Sequence, residues 1–409
     1  GCNHYNNSTY NYGPMYSLIL ATGNICKPGA GAGLSIGGGG NVANTEGALK
    51  PKDAEGNPVQ GGGRAVNWNQ VHGVLQTETL AGKPYTMKSI YVSCSNPVVC
   101  QTERQETLRV FEDVEFVVVQ DMVFTETAKY ADILLPACHW FETTELAVMS
   151  RNVPYLVWQD KVIDPLYESK PDFEIYKLIA EKMGYGEFFD MDSEDFIKLW
   201  LDSDAARDLG ITFEKLKEEK AARFLPGETY ISFEGGSFTT PSKRARFYQE
   251  KVVPSYNVGQ EIDESKDKTF LYWEPALEAD VNSPARAKHP FSVCSDHLRT
   301  RTHVQWWDVE YMKEFEPYPI VRLNPEDAKG LGIEEGDTVK LSNDRGFVTM
   351  IATLNAGQRP NTVSCPRSFQ AGEFIDGHFS DLSFNDYNQC CANQAYNDVA
   401  VAIEKIQGA

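Results

Sequence analysis

The sequence predicts two units in series: an α/β region built on a parallel sheet, and a smaller strand-rich unit after it. Three observations carry this. Val117, Val118 and Val119 form an uninterrupted β-branched run, the pattern of a parallel strand buried on both faces. A second apolar run, Ile133-Leu134-Leu135, ends at Pro136 after an acidic loop, so the stretch reads as strand, loop, short helix, strand. From residue 289 onward the periodicity changes. Residues 338–341 and 347–353 read as strands flanking the turn Asn343-Asp344-Arg345-Gly346. The expected boundaries are 1–250 for the α/β region, 251–288 for a charged, Pro-containing linker, and 289–409 for the strand-rich unit. Limited proteolysis is expected to cut first within the linker.

The chain has 409 residues and a formal net charge of −20. That length suffices for separate cores. That charge argues against a nucleic-acid binder, which shows a basic face. No apolar run reaches the roughly 20 residues of a membrane-spanning helix. The nine cysteines include no C-x-x-C pair, so neither a zinc ribbon nor a ferredoxin-like cluster is indicated, and buried free thiols are expected. Gly1-Cys2-Asn3 does not read as a natural start, so a piece lacking its front half is expected.

In chain order, residues 8–24 place Met15, Leu18, Ile19 and Leu20 on one helical face and stop at Gly23-Asn24. The Gly-rich run from Pro28 to Gly40 follows a helix and lacks G-K-[ST], so its pattern is that of a loop. Residues 45–85 are polar and aperiodic, an excursion with little regular structure. Ile90-Tyr91-Val92 is a strand closed by Ser93-Cys94-Ser95-Asn96-Pro97. Asn96 there either bonds a phosphate or ribose or makes an Asx-turn. Residues 101–111 are helical. Asp121 follows the valine strand, at the edge where open α/β sheets hold ligands. Its carboxylate either accepts two hydrogen bonds side by side, as from N1–H and N2–H of a guanine, or caps the next helix.

His139, Glu142 and Glu145 are spaced to share a helical face. A single copy without Glu-x-x-His favours a structural reading over a metal site. Residues 151–171 are extended and Pro-punctuated. Asp172 caps a helix that buries Phe173, Ile175, Leu178, Ile179 and Met183 and ends at Gly184. Acid-rich helices at 193–202 and 212–222 present solvated faces. Asn324-Pro325-Glu326-Asp327 is a capped helix start, and Gly332 is its stop.

Residues 121–142, DMVFTETAKYADILLPACHWFE, resemble the signature of the dimethyl sulfoxide reductase superfamily, whose members bind molybdenum or tungsten through two molybdopterin guanine dinucleotides. The family's Asp, TxTAxxADxxLP core and Glu fall on Asp121, Thr125, Thr127, Ala128, Ala131, Asp132, Leu135, Pro136 and Glu142. Further stretches agree. LILATGNICKPGAGAG is similar to the family's LTGNxGxPGxG, with Cys26 at a usual Gly. The turn after the 90–92 strand resembles G-x-N-P, with Ser95 where Gly is common. Residues 238–247 resemble F-x-T-P-S-G-K-x-x-F without its Gly. LNPEDAKGLGIEEGDTVKLSNDRG resembles the family's C-terminal double-psi β-barrel.

The resemblance implies an α/β, Rossmann-like parallel-sheet dinucleotide-binding region followed by that barrel. It implies cofactor contacts from Ser95, Asn96, Asp121 and Thr125. It adds Ser295, Arg299, Thr300, Arg301, Thr302 and His303, whose forked cationic and hydroxyl donors suit pyrophosphate and pterin. Asn388, Tyr396 and Asn397 would contact the second pterin. The metal's protein ligand and a 4Fe-4S cluster would belong to the absent N-terminal half, and no catalytic residue is assigned here. The implied protein is an anaerobic bacterial oxidoreductase acting on a small molecule, with reductive dehydroxylation of a catechol among its reactions. An iron–sulfur electron-transfer subunit is the implied partner, and the outer face of the cytoplasmic membrane is favoured over the cytoplasm. A nicotinamide dehydrogenase is the rival enzyme class, but no G-x-G-x-x-G follows an early strand. A non-catalytic subunit of the same fold is the other rival, and the donors at 299–303 argue against it.

Overall fold

The computed structural model describes residues 2–31, 42–43, 65–149, 153–225, 230–248, 272–367 and 369–406. Most of the Gly-rich run, residues 44–64, Arg151-Asn152 and the first part of the linker lie outside these.

The chain opens with α1 (Ser8–Ala21). Its buried residues are Ser8, Tyr10 and Gly13, while Met15 and Leu18 are exposed. The apolar face expected there points outward, because polar contacts rather than apolar packing hold the first turn. After Gly23, Cys26 adopts φ +61°, the left-handed conformation that explains a family preference for glycine at its position.

The expected excursion at 45–85 contains α2 (Trp68–Thr77) and the hairpin β1 (Thr79–Leu80)–β2 (Lys83–Pro84). Asn67 caps α2 by accepting from Asn69 N at 3.0 Å, and Val71 and Val74 are buried. Two apolar residues at i, i+3 suffice to seat a short helix, which is why so polar a sequence concealed one.

The parallel sheet is present. β3 (Ser89–Ser93), β4 (Phe116–Asp121) and β5 (Ile133–Pro136) run in that order, all parallel, with α3 (Pro97–Cys100) and α4 (Arg104–Asp113) in the first crossover. Val92, Val98, Phe111, Val117 and Val119 pack together beneath it. Burial is one-sided, however: Val118 is only half-buried, and Ile133 and Leu134 are 44% and 46% exposed. The valine run therefore does not mark a strand covered on both faces in this chain.

An antiparallel sheet follows, which the sequence reading lacked. β6 (Glu145–Met149), β7 (Tyr155–Gln159) and β8 (Ala221–Arg223) form it. α5 (Asp172–Lys182), α6 (Ser193–Leu201), α7 (Asp204–Asp208) and α8 (Phe213–Glu219) lie between β7 and β8 in sequence. Leu156, Trp158, Ile197, Leu201, Leu216 and Phe224 make the core between sheet and helices. Asp172 is not the cap of α5, since Pro171 holds that position. Asp172 instead accepts from Gln120 Nε2 at 2.6 Å, tying α5 to β4. Ile175 and Ala180 face inward, while Leu178 and Met183 are exposed.

After α9 (Ala285–Lys288), six strands close on themselves. They are β9 (Phe291–Asp296), then, beyond α10 (Glu310–Lys313), β10 (Ile320–Leu323), and, beyond α11 (Pro325–Leu331), β11 (Thr338–Ser342), β12 (Phe347–Leu354), β13 (Thr362–Pro366) and, after the short β14 (Asp376–Gly377), β15 (Val399–Lys405). Around the barrel the order is β10-β13-β9-β15-β11-β12, and the β10–β12 pairing closes it. β9–β13 and β10–β12 are parallel and the other pairs antiparallel. Val321, Leu323, Val339, Leu341, Met350, Val363 and Val401 fill the interior, each side chain contributing about 1.5–3 kcal/mol. β14 pairs with β12 beside β10's place on the same strand. Gly377 there has φ +68°, and a Cβ would lie 2.2 Å from Phe347 O, so only glycine fits.

The α11 start, its Gly332 stop and the 343–346 turn stand where the sequence placed them. The later part of the linker does not behave as one. Asp398 accepts from the N–H groups of Leu277, Glu278 and Ala279 at 2.8–2.9 Å, and Arg345 forks onto Glu278. Limited proteolysis is therefore expected to leave residues 277–288 on the barrel fragment, read by mass spectrometry of its N-terminus. Cleavage between 280 and 288 ahead of every other site would contradict this.

Candidate cofactor-binding site

The carboxyl edge of the parallel sheet meets the barrel at a polar seam, and the signature residues build that seam. Asp132 Oδ2 accepts from Val117 N at 2.7 Å and fixes the loop after β4 back onto the strand. Thr125 Oγ1 accepts from Ala128 N at 3.2 Å, which starts the turn at 127–130. Thr127 bridges Val98 N and Asn96 Oδ1. These residues shape the loop that leaves Asp121 at its mouth. Asp121 accepts from Met122 N at 2.8 Å. It does not cap the next helix, where Glu126 holds the cap position. Burial pushes its carboxyl up, the N–H groups of Met122 and Val123 oppose this, and nearby Asp308 adds to it. Of the two roles open to Asp121 in the sequence, the helix cap is the one the structure gives to another residue.

The two candidates on the preceding turn differ in burial. Asn96 is buried, and its amide is used internally: Oδ1 accepts from Thr127, and Nδ2 donates to Gln370 Oε1 at 3.2 Å. It joins the sheet to the barrel. Ser95 is exposed. The left-handed residue of that turn is Cys94, at φ +52°, and Cys94 rather than Ser95 stands at the Gly of G-x-N-P once Asn96-Pro97 fills its last two places. Glu142 is buried in a capping box with His139, accepting from His139 N at 2.7 Å and Leu166 N at 3.1 Å. That supports the structural reading of the His139, Glu142 and Glu145 spacing. Among the described residues no group of His, Cys, Asp and Glu is arranged for a metal.

The 295–309 loop divides. Ser295 gives N–H and Oγ–H to Asn397 Oδ1 at 2.9 and 2.6 Å. Asn397 is buried and donates its own N–H to His4 O. Thr300 and the Arg299 N–H are held by Glu316. Arg301 was expected as a cofactor donor, but its side chain is 2% exposed and forks onto Glu373 at 2.9 and 2.6 Å. Its guanidinium lies 4.1 Å over the Phe369 ring. A guanidinium spent on a carboxylate and a ring is a bolt in the wall. Arg299, Thr302 and His303 are exposed. His303 has φ +53°, its ring lies 5.0 Å from that of His297, and burial followed by Arg367 and His297 lowers its pKa. Farther along, Trp306 stands 6.5 Å from the His139 ring, which brings the loop over the carboxyl edge of the sheet.

Asn388 is also structural. Buried, it accepts from Thr9 Oγ1 at 2.7 Å and from the N–H groups of Cys390 and Cys391, and it donates to Asn6 O at 2.6 Å. It pins the first turn of α1 to the end of the barrel unit. Tyr396 donates to Gln394 Oε1 at 2.5 Å, and Arg367 lies 4.4 Å over its ring. Arg367 escaped the sequence reading. It follows β13 directly, and Cys-Pro-Arg-Ser carries no pattern that separates a site arginine from a surface one.

What stays at least partly exposed is the Asp121 carboxylate at one strand end and the Arg299 and His303 side chains of the loop after β9. That donor set fits a guanine dinucleotide: paired acceptor oxygens for an N–H edge, forked and ring N–H donors for phosphate.

The family description "Molybdopterin oxidoreductase" matches residues 1–182, and "Molydopterin dinucleotide binding domain" matches residues 291–403. The chain is 26% identical over 403 residues to the F420-dependent formate dehydrogenase subunit alpha of Methanocaldococcus jannaschii, covering 96% of this chain and 55% of that protein. It is 27% identical over 389 residues to the dimethyl sulfoxide/trimethylamine N-oxide reductase of Cereibacter sphaeroides, covering 85% and 46%. In fold it is similar to acetylene hydratase from Pelobacter acetylenicus, with a TM-score of 0.65 at 18% identity, covering 83% and 46%. The chain spans about half the length of these relatives. With the signature loop, the closed barrel and both family matches in agreement, the chain belongs to the dimethyl sulfoxide reductase superfamily of molybdopterin oxidoreductases.

Proposed function

We propose that this chain is the cofactor-holding portion of the catalytic subunit of a molybdopterin oxidoreductase, gripping parts of two molybdopterin guanine dinucleotides between its parallel sheet and its barrel. The observation that carries the reading is Asp121, a partly buried carboxylate at the carboxyl end of β4. Asp121 would take the guanine N–H edge, with Arg299 and His303 across the seam as donors to phosphate or pterin. When bound, the metal supplies the redox couple, while the chain orients the dinucleotides and shields their polar groups. The relatives' printed names support redox chemistry on a small molecule. Within that chemistry we assign reductive dehydroxylation of a catechol, supported by the acidic, aromatic-rich chain and by Trp140, Phe141 and Trp306 flanking the site. An iron–sulfur protein would deliver the electrons. The 4Fe-4S cluster and the metal's protein ligand would come from sequence beyond this chain.

Asp121→Asn is the test. An amide offers one acceptor and one donor, so it opposes the second guanine N–H. GDP binding to the purified chain is expected to weaken by roughly 10-fold or more, the equivalent of one charged hydrogen bond, while inorganic pyrophosphate binding is unchanged. Equal GDP affinity in the variant would reject the assignment. The chain made alone is expected to carry no stoichiometric molybdenum, tungsten or iron. Elemental analysis checks this, and a full complement of any of the three would overturn it.

A further inference from the structure

We infer that Arg367, together with His4 and the His297–His303 pair, forms an anion site that takes a pyrophosphate group, a contact point separate from Asp121. This rests on the dinucleotide reading above and deepens it.

Three other arginines of the barrel unit that are not exposed have carboxylate partners, while Arg286 donates to the backbone carbonyls of Ala279, Pro290 and Asn361 with Asp280 nearby. Arg301 has Glu373, Arg322 has Asp296, and Arg345 has Glu278. Arg367 is different. Among the described residues its hydrogen-bond partner is a neutral ring nitrogen, His4 Nδ1, at 3.2 Å from Nη1. Its guanidinium also stacks 4.4 Å over the Tyr396 ring. The other groups that feel it are His303 and Cys100. None of these supplies negative charge at neutral pH. Burial lifts the Cys100 thiol to about 11, and burial also raises the Tyr396 phenol. Burial and then Arg367 bring His4 down to about 4, so its imidazole is neutral.

A partly buried guanidinium without a counter-charge is costly. In a chain with 58 acidic residues against 38 basic ones, its isolation from carboxylates demands a reason. Four elements converge to produce it: the end of β13 (Arg367), the N-terminal segment (His4), the loop after β9 (His297, His303) and the approach to β15 (Tyr396). His303 is held there at φ +53°, a conformation that histidine adopts more readily than most side chains and that is often found at ligand sites. The result is a fork of guanidinium N–H donors beside three imidazoles. That is the donor set for a phosphate or pyrophosphate, which would itself provide the missing charge.

The experiment uses the 409-residue chain with Arg367→Gln, and Arg207→Gln as the control on the exposed α7. Binding of inorganic pyrophosphate and of GDP is measured by calorimetry, and Tm is measured in parallel. Arg367→Gln is expected to lose about 10-fold or more in affinity for both ligands. Its ligand-free Tm should equal or exceed that of the parent chain, because an unpaired charge has been removed. The control should match the parent in all three readings. Affinity for both ligands equal to the parent's would overturn the proposal. So would a lowered Tm with unchanged pyrophosphate affinity in the residual folded protein, since that marks a structural arginine. Loss of GDP binding in Asp121→Asn with full retention in Arg367→Gln would reject this site and leave the guanine reading standing. The reverse pattern would reject the guanine contact alone.

Discussion

Glu373→Ala is expected to destabilise the barrel unit by about 3–5 kcal/mol, the cost of stranding a buried charge. Arg301 sits against Phe369 with its side chain 2% exposed, and both its Nη groups end on Glu373. Glu373 also accepts from Gln370 N at 2.7 Å, so the same carboxylate closes the turn that holds Gln370 against Asn96. Removing it takes the carboxylate from a buried guanidinium and loosens the joint between barrel and sheet. Against a usual domain stability of about 5–15 kcal/mol, that loss should be plain in urea unfolding. Arg301→Met is expected to cost much less. It removes the buried charge while keeping a long apolar stem over the ring, and it leaves a more exposed Glu373 with its backbone donor. If Arg301 were a cofactor donor, the order would reverse. Arg301→Met would then abolish dinucleotide binding at unchanged stability, and Glu373→Ala would spare binding in the folded fraction.

The ion pair also shows why cofactor donors were the least legible part of the chain. Arg299, Arg301 and His303 share one short basic segment, and composition gives all three the same chemistry. What separates them is a carboxylate 72 residues downstream of Arg301, whose approach depends on barrel closure. Asn96, Asn388 and Asn397 were hard to read for the same reason. A buried amide reads identically in sequence whether it meets a ligand or, as with Thr9, Thr127 and Ser295 here, another part of the chain. Elements with local causes were legible. The α11 start follows from the cap and proline at Asn324-Pro325, the 343–346 turn from its own residues, and β4 from its valines. The β6-β7-β8 sheet was hidden because β8 has three residues and pairs across a helical insertion, so its partner is not a neighbour in sequence. α2 was hidden because its cap and two valines sit among Asn, Gln and His. The place of Asp121 at the end of β4 was legible because it follows from the valine strand itself and not from distant packing.

Acid should weaken this fold through His378, and Asn at that position should remove the effect. His378 is fully buried. Nδ1 accepts from Ser380 N at 3.0 Å, so that nitrogen carries no proton in the folded protein. Burial, with Arg104 adding to it, lowers the imidazole's pKa from 6.5 to about 3. The folded pKa lies below the unfolded one, so the stability tied to the neutral ring is complete above pH 6.5. It is lost as pH falls toward 3, at about 1.4 kcal/mol per pH unit. Several buried carboxylates work in the other direction. Asp121, Asp296, Asp381 and Asp398 are all raised by burial, so acidification relieves a cost they impose on the folded chain. The total pH profile therefore mixes both signs, and the difference between two chains isolates the histidine. His378→Asn keeps an acceptor for Ser380 N and cannot titrate. Unfolding free energies from urea at pH 7 and pH 4.5 are the measurement. The parent chain is expected to lose about 2–3 kcal/mol more than the variant across that interval. Parallel losses would mean that Nδ1 takes up its proton without unfolding, and that the pocket around Ser380 opens in acid.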